Sequence, residues 1–451
     1  MKKWLKWVLG IIVIIILIFI IMAVRAWYSI SILKGTGGVS SNTQTVPAVQ
    51  KQPDSLTTGE NDWPCWLGPD GDKRSTQTGI ITDWSNGLKS LWQIDYLCQG
   101  STEAAWSAPA IQGNRLVISG RDSTSDLVFC LDPGTGSLIW KNGYIANAQN
   151  NHGTGPRATP AIDGDRVYTF GRSGYLACWN LFDGSLIWKQ NVGNVGGVEP
   201  TWGHSSSPLI DGNLVLVQGG GPSVIVAYDK MTGKVVWTCG KGVAGYAALC
   251  TTRLGGFNAI LCFHGKGLMA AGMDGTKLWN MPWKTDYDVN ATTPLVVDKN
   301  HIFISSGYGY GGALLKCSAT SADTAWYTAD FAAMHTDPYL INGYIYGYSG
   351  QSFQNRGAFK CLDTRDGSVK WSTNDMGWGT CLYVQGLLLC QDIKGNLFLL
   401  QPNPEKPVIL GSIKKALGDD VHGPVWTMPI IANGKLYLRF KQRLICFNIA
   451  G

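Results

Sequence analysis

The sequence predicts an all-β chain, an eight-bladed β-propeller preceded by one N-terminal transmembrane helix. Three observations lead there. A phrase ending in tryptophan recurs every 42–49 residues through the body of the chain. The composition, with 57 Gly, 19 Trp and only 15% charged residues, suits short strands joined by tight turns and not helices or disorder. A nearly unbroken run of Ile, Leu, Val and Phe stands ahead of the first repeat.

The apolar run, residues 8–24, is long enough to span a bilayer when the preceding Trp4 to Trp7 are counted. Lys2, Lys3 and Lys6 precede it and Arg25 follows, so residues 1–7 are expected in the cytoplasm. The body is then expected on the periplasmic side of the inner membrane. A cleaved signal peptide is the alternative, with Val24 and Ala26 at the cleavage site, although signal cores are shorter, about 7–15 residues. Residues 25–62 contain a stretch rich in Gly, Ser, Thr and Pro with no hydrophobic period, which predicts a flexible linker. The formal charge is +6, but Lys2, Lys3, Lys6, Arg25 and Lys34 supply five of those charges. The folded part is nearly neutral and has no basic stripe, which argues against a nucleic-acid partner.

Residues 63–451 carry the repeat. It reads FCLDPGTGSLIW to Trp140, ACWNLFDGSLIW to Trp188, VAYDKMTGKVVW to Trp237, MAAGMDGTKLW to Trp279, KCSATSADTAW to Trp326 and KCLDTRDGSVKW to Trp371. Upstream of most copies lies a Ser/Thr-Pro, an apolar stretch and an Asp-Gly or Asn-Gly turn, as in ATPAIDGDRVYTF and SSPLIDGNLVLVQ. Each repeat thus holds four short strands joined by turns in which Gly and Asn accept positive φ. Four-stranded units at this period define a propeller, because a lone sheet cannot bury both faces and radially packed blades can.

The blade count follows from the tryptophans. Six blades end at Trp140 to Trp371, and a seventh, degenerate blade, LLLCQDIKGNLFLLQPNPEKPVIL, ends near Leu410. The C-terminal segment MPIIANGKLYLRFKQRLICFNIAG supplies three strands of an eighth blade. The missing fourth is LKSLWQ, around Trp92, which closes the ring and leaves no open sheet edge. Seven blades with extra strands is the alternative count.

Twelve cysteines are present, and Cys130, Cys178, Cys317, Cys361 and Cys446 share one place in the strand phrase, as expected for small buried hydrophobes. One disulfide remains open, with no pair singled out. No C-x-x-C, no H-x-H and no G-x-S-x-G occurs, so neither a metal site nor a catalytic nucleophile is expected. Asp70 and Asp72 form a loose acidic pair. The candidate ligand surface is a ring at the channel mouth. Trp106, Arg157, His204, Asn290, His335 and Trp426 stand at equivalent points, within one residue, of the segments that enter each blade. Such a ring suits stacking and hydrogen bonding to a polar or extended ligand. The competing expectation is that these residues only plug the channel and satisfy buried backbone groups.

The phrase L-x-x-L-D-x-x-T-G-x-x-x-W, fullest at residues 127–140 and 224–237, resembles the pyrroloquinoline-quinone (PQQ) repeat. The resemblance covers about residues 63–451, and the opening DWPCWLGPDGDKRS also resembles the lead-in of PQQ-like propellers. It implies one of two activities. Binding scaffolds such as the BamB-like propellers carry no cofactor, engage protein partners and assist envelope assembly. Quinoprotein dehydrogenases hold PQQ and calcium and carry two adjacent cysteines beside the cofactor. No adjacent Cys pair exists here, and the dehydrogenases' catalytic and calcium-binding acids have no matching motif. The expectation is therefore a monomeric, membrane-anchored propeller that binds a protein partner or an extended ligand, without a cofactor. A PQQ- and calcium-dependent dehydrogenase is the alternative.

Overall fold

The computed structural model describes residue 56 and residues 59–451, apart from 101, 150–151 and 352–355. All of these belong to the second of two compact units, Pro47–Gly451. The expected cytoplasmic tail, membrane segment 8–24 and nearly all of the linker lie outside the described residues. Among the described residues no helix is long and apolar enough to cross a membrane.

The strands form eight sheets, one per blade. Blade 1 starts at Ala110–Gln112 and ends at Leu138–Ile145, and blade 2 runs from Ala161–Asp163 to Leu186–Asn191. Blades 3, 4, 5 and 6 begin at Leu209–Asp211, Cys250–Leu254, Leu295–Asp298 and Tyr339–Ile341, and blade 7 begins at Gly379–Val384. Blade 8 takes Ile430–Ala432, Lys435–Phe440 and Arg443–Asn448 from the C-terminus and its outer strand, Ser90–Ile94, from the other end of the chain. Trp92 pairs with Cys446 in that closing seam. Eight blades and the split last blade are the predicted architecture.

The Trp phrase has a specific mechanical role. Seven indoles donate to a backbone carbonyl of the following blade. Trp92 reaches Pro133 O at 3.1 Å, Trp140 reaches Leu181 O at 2.8 Å and Trp188 reaches Lys230 O at 3.1 Å. Trp237, Trp279, Trp326 and Trp371 make the same bond to Met273, Ser318, Thr364 and Asn403. The turn glycine of the following blade lies under the indole. A Cβ on Gly136, Gly184, Gly233, Gly275 or Gly367 would stand 2.5–2.7 Å from the Trp ring of the blade before. The Thr-Gly or Asp-Gly of one blade and the Trp of its predecessor are therefore two halves of one lock. Blade 7 lacks its own tryptophan, and Gly411 occupies the equivalent place opposite Leu399. The gap is filled by Trp84 of the N-terminal segment, whose Cβ and ring atoms lie 3.3–3.5 Å from the site of a Gly411 Cβ. The repeated cysteines sit in the same layer: Cys178, Cys361 and Cys446 are each flanked across the sheet by a Tyr and a Trp.

The channel is not open. The segment Trp63–Gln77 packs against the innermost strands of several blades. Trp63 exchanges backbone hydrogen bonds with Ile111 of blade 1, and Pro64 O accepts from Ile162 N of blade 2. Trp66 Nε1 donates to Thr293 Oγ1 beside blade 5 at 3.5 Å. Arg74–Ser75 adds a parallel strand to blade 7, and Ser75 Oγ donates to Ile431 O of blade 8. Trp63 is fully buried in this position. The plug is thus the lead-in segment itself, and it turns the channel into a blind basin. Asp70 and Asp72 are exposed, and Asp72 pairs with Arg74 at 3.5 Å.

Candidate functional site

A cavity of about 570 Å³ opens at the face where the chain enters each blade. Trp106, Arg157, His335 and Trp426 line it, whereas His204 and Asn290 do not. The reason is a one-residue offset. The four lining residues stand three positions before the Pro of their segments, at Pro109, Pro160, Pro338 and Pro429. His204 and Asn290 stand four before Pro208 and Pro294. The residues at the matching position, Ser205 and Ala291, do line the cavity. His204 and Asn290 point the other way and act as internal struts. His204 is 2% exposed and packs on Phe170 with ring centroids 5.1 Å apart. Asn290 donates to His264 O at 2.8 Å and accepts from Ser306 Oγ at 2.7 Å.

Sequence reasoning missed a second set of aromatic residues in the same cavity: Trp66, His152, Trp202, Tyr246, Tyr287 and Tyr308. Four of them, Tyr308, Tyr287, Trp202 and His152, form a continuous arc with Trp426, Trp106 and His335. Tyr308 meets Tyr287 at 5.9 Å, Tyr287 meets Trp202 at 6.4 Å, and Trp202 meets His152 at 5.4 Å. His152 meets Trp426 at 5.6 Å, and Trp426 meets both Trp106, at 4.9 Å, and His335, at 5.9 Å. Trp202 lies two residues before His204, in the segment TWGHSSSP that enters blade 3. The others come from irregular loops that carry no period.

Four members of the arc hold a left-handed backbone: His152 (φ 61), Tyr287 (φ 57), Tyr308 (φ 56) and His335 (φ 56). This region is uncommon for residues with a Cβ, at roughly 1–2 kcal/mol each. Asn342, Gln385 and Asn433 also have positive φ, but each precedes a Gly in a two-residue hairpin, where that geometry is expected. The bulky aromatic outliers gather at the mouth. Backbone strain of this kind collects at ligand clamps, where the surrounding structure holds it in place.

Arg157, in the segment before blade 2, brings a guanidinium to the basin wall, with Arg172 of blade 2 close by. Arg157 donates to Gly155 O and Gly153 O at 3.0 and 3.1 Å, which fixes its guanidinium. Burial, joined by the neighbouring Arg172, pushes its pKa down to about 9. Arg172 is fully buried behind it, 3.6 Å from Glu199. Burial pushes His335 down to about 4, with His152 and Arg157 adding to the effect, and lowers His152 too, so both imidazoles are neutral at pH 7.

These residues do not fit a calcium-bound quinone. Asp337, the carboxylate lining the cavity, is committed on both oxygens. Oδ1 accepts from Thr293 N at 2.6 Å, and Oδ2 accepts from Thr293 Oγ1 at 2.9 Å and pairs with Lys73 at 3.0 Å. Calcium takes about 6–8 oxygen ligands, and an ammonium already occupies the place of the cation. Among the described residues no three His, Cys, Asp or Glu side chains are grouped to hold a metal ion.

Fold and repeat together define a PQQ-like β-propeller with a plugged channel and an aromatic mouth. Residues 124–373, more than half of the chain, match the family model described as outer membrane protein assembly factor BamB, and the chain belongs to that family. The crystal structure of BamB from Moraxella catarrhalis matches 80% of this chain and 100% of its own, at 16% identity and a TM-score of 0.55. Quinohemoprotein alcohol dehydrogenase from Comamonas testosteroni matches 87% of this chain and 81% of its own, at 12% identity and a TM-score of 0.63. At these identities the two structures share the fold. A curated relative, tetrathionate hydrolase of Acidithiobacillus ferrooxidans, is 30% identical over 121 residues. That match covers 25% of this chain and 23% of the hydrolase, so the chain spans about a quarter of the length of the curated relative it matches.

Proposed function

We propose that this chain is a membrane-tethered propeller on the periplasmic side of the inner membrane. It binds a protein partner or an extended ligand at its aromatic channel mouth and carries out no chemistry there. The observation that carries the reading is the gathering of four left-handed aromatic residues in one basin. A plug would need only apolar bulk, and it is already supplied by Trp63 and Trp66. Aromatic residues and Arg also dominate the energetics of most interfaces. The fold is common to assembly factors and quinone-dependent dehydrogenases. The ion-paired state of Asp337 favours the first class over the second. Titration of the purified full chain with PQQ and calcium, followed by a dye-linked alcohol oxidation assay, tests this directly. No saturable quinone binding and no turnover is the expected result, and turnover would overturn the reading. The placement is tested by protease access to spheroplasts, in which the propeller is expected to be cleaved from outside.

A further inference from the structure

Blade 7 contains a feature that the ligand site does not use. Its first two strands, Gly379–Val384 and Leu387–Asp392, are antiparallel and joined by Gln385 and Gly386. Both turn residues have positive φ, 49° and 78°, which makes a two-residue hairpin turn of the type that matches strand twist. In such a hairpin the residues flanking the turn, Val384 and Leu387, form a hydrogen-bonded pair, and pair types alternate outward from it. Cys381 and Cys390 face each other three steps further along. They therefore occupy a non-hydrogen-bonded site, where Cα atoms approach to about 4.5 Å and side chains are closest. An independent contact agrees. Cys381 O accepts from Tyr339 Oη at 3.2 Å, so that carbonyl points away from the partner strand.

A Cα separation of about 4.5 Å lies inside the range that disulfides occupy, about 4.4–6.8 Å. Both thiols are buried, at 2% and 0% exposure, on the same face of the hairpin. Among the described residues this is the one place where the strand registers set cysteine opposite cysteine. The repeated cysteines of the other blades face Tyr, Val, Ala or Trp instead.

We propose that Cys381 and Cys390 form a cross-strand disulfide as the chain folds in an oxidising compartment. Each thiol gives up one hydrogen as the S–S bond forms. The two electrons and two protons pass to a small-molecule or protein disulfide, which leaves as two thiols. Because the pair is sealed in the native blade, the exchange precedes closure of the ring. The bond pins the innermost hairpin of blade 7 directly behind the basin wall, where Cys381 Sγ now lies 3.9 Å from Asp337 O.

The test is a peptide map. The full chain is unfolded, reduced and refolded in a mixture of oxidised and reduced glutathione, then alkylated under denaturing, non-reducing conditions. The expected product links the peptides holding Cys381 and Cys390 and is two hydrogens lighter than their sum, with the other ten of the twelve cysteines alkylated. Alkylation of both residues on separate peptides overturns the proposal, as does a bond from either one to a third cysteine. Folded protein supplies a second readout. Reductant is expected to lower the unfolding midpoint of the wild type and to leave that of Cys390→Ser unchanged, and equal shifts in the two would contradict it. The same map on protein taken from cell membranes separates this proposal from the periplasmic placement. A bond that forms in glutathione but is missing in the cell counts against the placement alone.

Discussion

Replacing Gly184 with Ala tests the lock between blades 1 and 2. A Cβ at this position would stand 2.5 Å from Cδ2 and Cε3 of Trp140, and the backbone is left-handed at φ 72. Trp140 is 5% exposed and its Nε1 is tied to Leu181 O, so the ring has little room to retreat. The left-handed backbone costs about 1–2 kcal/mol for a residue with a Cβ. Overpacking adds about 1–3 kcal/mol. Gly164, in the same blade, isolates the first contribution. Its φ is 60 and a Cβ there would meet nothing within 4 Å. Gly164→Ala is thus expected to lose about 1–2 kcal/mol, and Gly184→Ala about 2–5 kcal/mol. With an unfolding entropy of about 2.1 cal/mol/K per residue, 1 kcal/mol moves the midpoint of a chain this long by only about 1 °C. The comparison therefore calls for differential scanning calorimetry of both variants side by side, with Gly184→Ala melting about 1–4 °C below Gly164→Ala. Equal midpoints would refute the claim that glycine is required there by the indole.

Trp426→Ala removes the hub of the aromatic arc and is expected to weaken partner binding by about 1–3 kcal/mol, read as a rise in Kd by calorimetry or surface binding, with a smaller loss of stability. His204→Gln addresses pH. Burial holds the His204 pKa at about 4, against an ordinary value near 6.5. The unfolded chain therefore takes up a proton between about pH 6.5 and 4 that the folded chain refuses. The stability this histidine contributes is complete above pH 6.5 and is lost as pH falls through that window, by up to about 3 kcal/mol. Urea unfolding at pH 7 and 4.5 is expected to show a shallower pH dependence in the variant than in the wild type. Trp92→Ala weakens the seam that joins the two chain ends. Cleavage by limited proteolysis is expected first in blade 8, with a stability loss of about 2–4 kcal/mol.

The fold was legible because its determinants are periodic. The Trp series set the blade count, and the turn glycines set the hairpins. The lone Trp92 strand had to complete the last blade because three C-terminal strands had no fourth. Blade 7 shows the limit of that reading. Its tryptophan is supplied by Trp84, far away in sequence, so the local phrase looks degenerate although the packing layer is complete. The mouth was legible to within one residue. In an extended segment a shift of one turns a side chain to the opposite face. That shift is why His204 and Asn290 became struts while Ser205 and Ala291 reached the basin. The left-handed aromatics His152, Tyr287 and Tyr308 lie in loops shaped by tertiary contacts, and no sequence period marks them. The plug was hidden for the same reason. Trp63–Gln77 reads as a lead-in, and only the free edges of the innermost strands give it partners.

Site-specific photocrosslinking in cells tests the central claim, that the aromatic mouth is the binding surface, most directly. A photoreactive residue is placed at Trp202 or Tyr287 in the mouth, and in parallel at Asn213 or Gly164, in hairpin turns joining the first two strands of blades 3 and 2. The account predicts a discrete adduct from the mouth positions, lost when Trp426→Ala is introduced, and none from the two turns. Adducts arising only from the turns, or mouth adducts unaffected by Trp426→Ala, would contradict it.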